Sequence, residues 1–452
     1  MAHPRTGLIA GAAAPDELPP LRAVPPAASP TGTNRMFEPS DSDPLATPAR
    51  PPSAAGRLGV YIHFPYCLSK CPYCDFASHA SRRQSIDGAA YANAVVGELA
   101  DRASCVAGRV VQSIFFGGGT PSLWDARELG RVIRCIRSTL PVTPALEVTV
   151  ECNPSSLDDE TALQLADVGV DRLSVGVQSL RADHLRYLGR LHDAEGARRA
   201  VRAALSSGAS RVSADLIFGI PGQSPEDAAK EVLEVLQLGV THLSCYQLTI
   251  EAGTPFGELA RCGRLPLADE CVVAEAYIAI DEALAAGGMH HYEISNYARP
   301  GDECRHNLGY WSGNEYLGLG CGAVGFIKKI PVQADAAARG ARDMGVRWRN
   351  TTSPTGYLEQ ARTGEIVTGA VDREDLDAEA LLRERIMLGL RLDSGVDIDE
   401  AAAGLGILGW SNARTQAAAG LVQRGRLIRA GGRVRIPKRA WLWTDATAAH
   451  LF

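Results

Sequence analysis

The feature that most restricts the fold is an alternation that repeats between residues 58 and 248. Short apolar runs of strand length stand at 58–64, 113–116, 145–150, 172–177, 211–218 and 242–248. Between them lie stretches with helical spacing, near 87–103, 125–138, 159–168, 193–207 and 225–238. Alternation every second residue marks a strand, and recurrence at three to four marks a helix. Parallel strands need crossovers long enough to hold a helix, so this order predicts a parallel sheet. Six such units predict an α/β protein built as a partial (β/α)6 barrel. A doubly wound open sheet satisfies the same pattern.

The polar residues fall at informative places. In the first strand Val60, Ile62 and Phe64 alternate with Tyr61 and His63, and Pro65 ends the run. Cys67, Cys71 and Cys74 follow within one short loop. Three thiolates at this spacing can hold three corners of a cubic iron–sulfur cluster, which usually takes four cysteines. An iron without a protein ligand is open to a substrate or cofactor, as in catalytic metal sites. Zinc fits the spacing too if His63, Asp75 or His79 supplies a fourth ligand, and three ordinary buried thiols are the plainest alternative. Gly117-Gly118-Gly119-Thr120-Pro121 follows the second strand. Backbone without side chains can approach a ligand and offer N–H groups there, although a tight turn explains it equally. No lysine follows, so it is not a phosphate-binding loop. Glu151 and Gln178 end two further strands, the edge at which barrels and open α/β sheets assemble their sites. Asp215 lies among Val212, Ala214, Leu216, Ile217 and Phe218, where a carboxylate needs a partner. Taken singly, Glu151, Gln178, Arg190 and Asp215 read as solvated or salt-bridged residues near loops.

The strand–loop with three cysteines resembles the radical S-adenosylmethionine (SAM) enzymes. The wording Tyr61-x-His63-x-Pro65-x-Cys67 and Cys71-Pro72-Tyr73-Cys74-Asp75-Phe76 resembles the branch that holds oxygen-independent coproporphyrinogen III dehydrogenase and its relative, the heme chaperone HemW. The dehydrogenase has a fourth cysteine two residues after the third; here that residue is Phe76, which favours the HemW side. The resemblance implies a [4Fe–4S] cluster on Cys67, Cys71 and Cys74 as metal ligands, with SAM on the free iron. It places Tyr61, Tyr73, Gly118, Gly119, Thr120, Glu151, Gln178, Arg190 and Asp215 around SAM, the aromatic pair having core packing as the alternative. Arg and acidic partners suit the amine, carboxylate and sulfonium of SAM. The resemblance also implies reductive cleavage of SAM to a radical, without saying whether this chain uses it, and no catalytic residue is assigned. His306-Asn307-Leu308-Gly309-Tyr310-Trp311 resembles the HNxxYW motif tied to heme binding in HemW. An imidazole can ligate heme iron and aromatic rings can cover a macrocycle, so His306 is the expected ligand, with Cys304 as a rival and a core histidine as the alternative. After Gly322-Ala323 the family often has His, where this chain has Val324.

Composition sets the remaining limits. The chain has 452 residues and a net charge of −6, which gives no general pull toward nucleic acid or membranes. No apolar run approaches the ~18 residues needed to span a bilayer. Eleven cysteines in a long, enzyme-like chain suggest reduced thiols and metal ligands, hence a cytoplasmic home. Residues 1–56, rich in Pro and Ala, are expected to be a disordered extension. The barrel is expected over 57–300, a connecting segment with the heme motif over 301–371, and a helical HemW/HemN-type domain over 372–452. Helical signals at 381–392, 397–404 and 411–423 with a hairpin about Gly431-Gly432 predict a small winged-helix-like domain. Eight basic residues and no acidic one lie between 411 and 440. DNA binding and a cluster-sensing regulator follow as rivals, but docking within the protein is preferred and no nucleic acid is expected. The expected partners are heme and heme-accepting proteins, respiratory or other, and the resemblance leaves room for a homodimer.

Overall fold

The computed structural model describes residues 56–329 and 344–452. The expected N-terminal extension, up to residue 55, lies outside the described residues. The main sheet begins with β1 (Gly56–Phe64), β2 (Arg109–Gly118), β3 (Val142–Cys152), β4 (Arg172–Gln178), β5 (Arg211–Phe218) and β6 (His242–Gln247). It continues with β7 (His290–Glu293), β8 (Asn296–Ala298), β9 (Glu315–Leu319), β10 (Val324–Lys328), β11 (Gly345–Arg349) and β12 (Asp372–Leu376). The spatial order is β12-β11-β10-β9-β1-β2-β3-β4-β5-β6-β8-β7.

From β1 to β6 every neighbour is the next strand in the chain, and every pairing is parallel. Within β1–β6 the order never reverses, so these six strands lack the switch point that defines a doubly wound fold. It is wound like a barrel but stays open. β9 lies parallel to β1 on its other edge, and β10–β12 extend that side antiparallel.

The alternation in β1 has its cause in two different faces. Leu58, Val60, Ile62 and Phe64 are at most 1% exposed and pack against Tyr91, Val95 and Leu99 of helix Gly88–Arg102. Burial of a side chain of this kind stabilises by about 1.5–3 kcal/mol. Gly59, Tyr61 and His63 face the inside of the curved sheet. The crossover helices start where the chain supplies an N-cap: Asp87, Asp125, Asp158, Asp193 and Ser224 each accept an N–H from the first turn.

The C-terminal part has helices Ala378–Gly389, Ile398–Ala402 and Asn412–Gln423 and a hairpin, Ile428–Ala430 with Arg433–Arg435. Val396–Asp397 adds a third strand to that hairpin. This is the winged-helix-like order, with its own core of Leu382, Ile386, Leu421, Val434 and Trp441. Several of its basic residues are engaged internally. Arg414 is buried and donates to Leu451 O, Gly409 O and Glu379. Arg429 and Arg426 lie over the rings of Trp410 and Trp443.

One charged pair sits inside the curved sheet at its lower end. Arg172 and Glu147 are at most 1% exposed and meet at 3.0 Å. Arg172 also donates to Ser213 Oγ and to the carbonyls of Asp302 and Glu303. The second oxygen of Glu147 accepts from Arg305 N at 2.9 Å and His306 N at 3.3 Å. The pair therefore caps helix Arg305–Trp311 from below. Removing one partner leaves the other charge buried and alone, so Glu147→Ala should cost about 3–5 kcal/mol in urea unfolding. Adding Arg172→Met to that variant should restore part of the loss, because no unpaired charge then remains.

Candidate functional site

The cysteine loop is tied at its root on both sides. Tyr66–Cys67 pairs in parallel with His79–Ala80, and Ser81 N donates to Cys67 O at 2.8 Å. The glycine turn after β2 is pinned to the same root, with Gly119 N on Phe64 O at 2.7 Å and Thr120 N on Tyr66 O at 2.8 Å. Gly118 N donates to Glu151 Oε2 at 3.1 Å. All three N–H groups are thus used within the protein, which departs from the expectation that this turn offers them to a ligand. The glycines are required by space. A Cβ at Gly118 would lie 2.5 Å from the His63 ring, and one at Gly119 would lie 2.6 Å from Tyr66 O.

His63 has a fixed tautomer. Its Nε2 faces Ala77 O at 3.0 Å, and a carbonyl only accepts, so the proton is on Nε2. Tyr61 OH then donates to Nδ1 at 3.0 Å. Burial pushes His63 down to about 4, against the bond to Ala77, which keeps it neutral. Tyr61, His63 and Ala77 form a relay of contacts from the sheet interior to the end of the cysteine loop.

Cys71 lines a small cleft with Ser69, Thr120, Asn153 and Arg190. Arg190 Nη1 lies 3.2 Å from Cys71 Sγ, and Thr120 Oγ1 donates to Cys67 Sγ at 3.4 Å. Burial raises the thiols of Cys67 and Cys74, with nearby hydroxyl and backbone donors acting against it. Burial likewise raises the Tyr73 phenol, with Arg190 opposing. Burial disfavours charge on Arg190, but Tyr73 and Cys71 outweigh it and its pKa rises. Arg190 Nε is buried with no hydrogen-bond partner. Among the described residues no three His, Cys, Asp or Glu side chains converge on one metal ion. A cube that spreads three thiolates over three irons has no such requirement.

The remaining expected residues divide into two groups. Gln178 sits beside Arg190, since Arg190 Nη2 donates to Gly176 O at 3.2 Å and a Cβ at Gly176 would meet the Gln178 amide at 2.8 Å. Asp215, partly buried, accepts from Ser174 Oγ at 3.2 Å. Burial pushes Asp215 up to about 6, Ser244 and Ser174 hold it down, and Glu151 adds to the rise. The interior thus has a cation against Cys71 and two carboxylates, Glu151 and Asp215, near enough for one to raise the other. His306 does not join this group. It lies lower, on Ser113 Oγ at 2.8 Å, stacked on Phe115 with ring centres 4.9 Å apart and on Tyr61 at 6.3 Å. It is 3% exposed, and its Nε2 has no partner.

Sequence reasoning passed over Glu147, Arg172, Glu98 and Glu231, which are all buried charges. The signal was available for Glu147 and Arg172, each a charge inside or opening an apolar strand.

Three thiols on the loop after the first strand of a singly wound parallel sheet define a radical SAM protein, and residues 61–234 match the model of the radical SAM superfamily. Residues 376–443 match the HemN C-terminal domain. Heme chaperone HemW of Mycobacterium tuberculosis is 33% identical over 413 residues, 90% of this chain and 98% of that protein. The Escherichia coli protein of the same name is 39% identical over 270 residues, 60% of this chain and 70% of the relative. The mitochondrial radical S-adenosyl methionine domain-containing protein 1 of Danio rerio is 35% identical over 76% of this chain and 75% of its own length. The chain belongs to the HemW family. Among solved structures, coproporphyrinogen III oxidase (HemN) of Escherichia coli matches 88% of this chain and 90% of its own, with a TM-score of 0.71 at 20% identity. That likeness concerns the fold alone.

The Asp215 environment has a measurable consequence. A folded value near 6 means that the folded chain holds more protons than the unfolded one between about 4 and 6. Stability should therefore fall as pH rises through that window, by about 3 kcal/mol for this group. Asp215→Asn should flatten that part of the urea-midpoint profile of cluster-free protein.

Proposed function

We propose that this protein is a heme chaperone, which binds heme and passes it to heme proteins, respiratory or other, and which holds a [4Fe–4S] cluster and SAM at the cysteine loop. The observation that carries this reading is the match along 98% of a relative named as a heme chaperone. Phe76, where the dehydrogenase has its fourth cysteine, points the same way.

The donor set fits the two cofactors. Cys67, Cys71 and Cys74 supply three thiolates from one pinned loop, and the free Nε of Arg190 is an orphaned donor beside them. With their N–H groups taken, Gly118, Gly119 and Thr120 have carbonyl oxygens, and Thr120 its hydroxyl oxygen, to present to an ammonium. Glu151 and Asp215 favour a cationic ligand, Arg190 and Gln178 offer N–H groups to a carboxylate, and Tyr61 and Tyr73 pack at the sides. When bound, a cluster of this type supplies an electron to the sulfonium of SAM.

For heme, His306 is the ligand we assign. Burial pushes its imidazole down to about 3, so it is neutral, and in the tautomer that donates Nδ1–H to Ser113 Oγ the Nε2 lone pair is free for iron. Burial pushes Cys304 up to about 12, with Glu147 adding, which leaves a neutral thiol and a poorer ligand. The imidazole is packed between rings, so a macrocycle reaches it only if helix Arg305–Trp311 moves. The working compartment is a reducing one such as the cytoplasm, consistent with eleven free cysteines. Among the described residues no helix is long and apolar enough to cross a membrane.

Two measurements decide the matter. Reconstituted protein incubated anaerobically with SAM, reductant and coproporphyrinogen III should yield no protoporphyrinogen; its appearance would make the chain a dehydrogenase. In heme titrations, His306→Ala should weaken binding by about tenfold or more and change the absorption spectrum. An unaltered spectrum and affinity would remove His306 as ligand.

A further inference from the structure

The turn after β4 is held in a conformation that residues other than glycine avoid. Gln178 has φ of 64°, and no other non-glycine residue among those described has a left-handed backbone. Ser179 N donates back to Val177 O at 2.8 Å and closes a three-residue turn around it. Turns of this kind are rare and strained, and such strain persists where the surroundings over-determine it.

The surroundings can be named. Val177 O also accepts from His192 Nε2 at 3.0 Å, and Gly176 O from Arg190. Beyond the turn, Glu231 reaches in from helix Pro225–Gln237. Its Oε1 accepts from Ser179 Oγ at 2.5 Å and from Leu180 N. Its Oε2 accepts from Gln223 Nε2 at 3.3 Å, and Gln223 Oε1 accepts from Gly219 N at 3.0 Å. Glu231 is 6% exposed. A buried carboxylate is unfavourable unless its oxygens are bonded, and here one oxygen holds the turn after β4 while the other, through Gln223, holds the turn after β5.

We propose that Glu231, with Gln223, is a positioning residue that fixes the Gln178 turn beside Arg190 and so shapes the ligand site next to the thiols. The inference rests on the reading of that site as the one for SAM. An apolar residue of similar size at 231 could fill the space but could not bond either turn. The strained backbone would then relax, and Gln178 would leave the site.

The test uses full-length, anaerobically reconstituted protein with two readouts, SAM affinity by equilibrium dialysis and the SAM-induced change in the EPR spectrum of the reduced cluster. Glu231→Leu should bind SAM about tenfold more weakly and lose most of the spectral change, with iron and sulfide content as in wild type. Glu231→Gln keeps a carbonyl acceptor for Ser179 and Leu180 and should stay within about threefold of wild type. Ser179→Ala removes the hydroxyl's bonds to Glu231, His184 and Arg181 N but leaves Leu180 N on Glu231, and should weaken SAM by about threefold; it decides the matter if the leucine variant does not fold. Wild-type affinity and spectra in both Glu231→Leu and Ser179→Ala would overturn the clamp and leave the SAM site standing. Absence of SAM binding by wild type would instead remove the reading on which the clamp depends.

Discussion

Strand β1 is the constraint on which the site depends, because both of its edges are in parallel ladders, to β2 on one side and to β9 on the other. A strand paired on both edges cannot shift its register without breaking two ladders at once. Its outward residues lock it to the helices, and its inward residues, Tyr61 and His63, are fixed with it. The cysteine loop leaves from the end of this strand and is stitched back through Ala77 to His63 and through Thr120 to Tyr66. The root of the loop that carries the three thiols is bonded on both sides, to His79–Ala80 and to the glycine turn.

Behind that rigidity stands a buried charge. Glu98, fully buried, accepts from Arg102, Asn350, Tyr357 and Gly320 N. Tyr91, two turns earlier on the same helix face, donates to His63 O at 2.5 Å and accepts from Cys321 N. The helix after the cysteine loop therefore joins the Gly-rich segment at 318–322 to the carbonyl side of β1. No polar atom of this network is buried without a partner, which is what makes it stabilising; a half-satisfied network would be worse than an apolar core. The same logic holds for Glu147 with Arg172 at the lower end of the sheet and for Glu231 at the turn after β4.

The strands and their helical crossovers were legible because periodicity is a local property of the chain; their spatial order, which separates a barrel-like winding from a doubly wound sheet, depends on pairings that periodicity does not carry. The helix Glu270–Ala286 was not, since Ala, Val and Ile occur on all of its faces and no apolar stripe stands out. β9 escaped notice for a different reason: Tyr316-Leu317-Gly318-Leu319 is glycine-rich, and only its place beside β1 makes it a strand. At the site, the cysteines, the glycine turn and Glu151 could be read from spacing and strand ends. What spacing could not reveal is who bonds whom. The glycine N–H groups looked available and are used internally. Glu98 and Glu231 carry no signal of their own in the helical stretches at 87–103 and 225–238, and only the neighbours brought by the fold turn them into buried anchors. His306 could be named as a candidate but its depth below the thiols could not.

That depth bears on how the two ends of the molecule relate. His306 stacks on Tyr61, Tyr61 bonds His63, and His63 bonds the end of the cysteine loop, so the ring at the lower end and the thiols at the upper end share a continuous set of contacts. The helix that carries His306 is held at its start by Glu147 and near its end by the C-terminal domain, where Arg391 lies over Trp311. The backbone of the same domain crosses to the β7–β8 hairpin, with Ile294 N on Arg391 O at 3.0 Å and Asp393 N on Tyr292 O at 3.1 Å. Any movement that uncovers His306 must therefore loosen the seam between the sheet and the C-terminal domain, or slide the helix past Glu147. The basic residues of that domain are in part engaged in its own structure, through Arg414 on backbone carbonyls and Arg429 on Trp410. Its position against helix Arg305–Trp311 suits a clasp on that helix better than the free face a count of charges suggested.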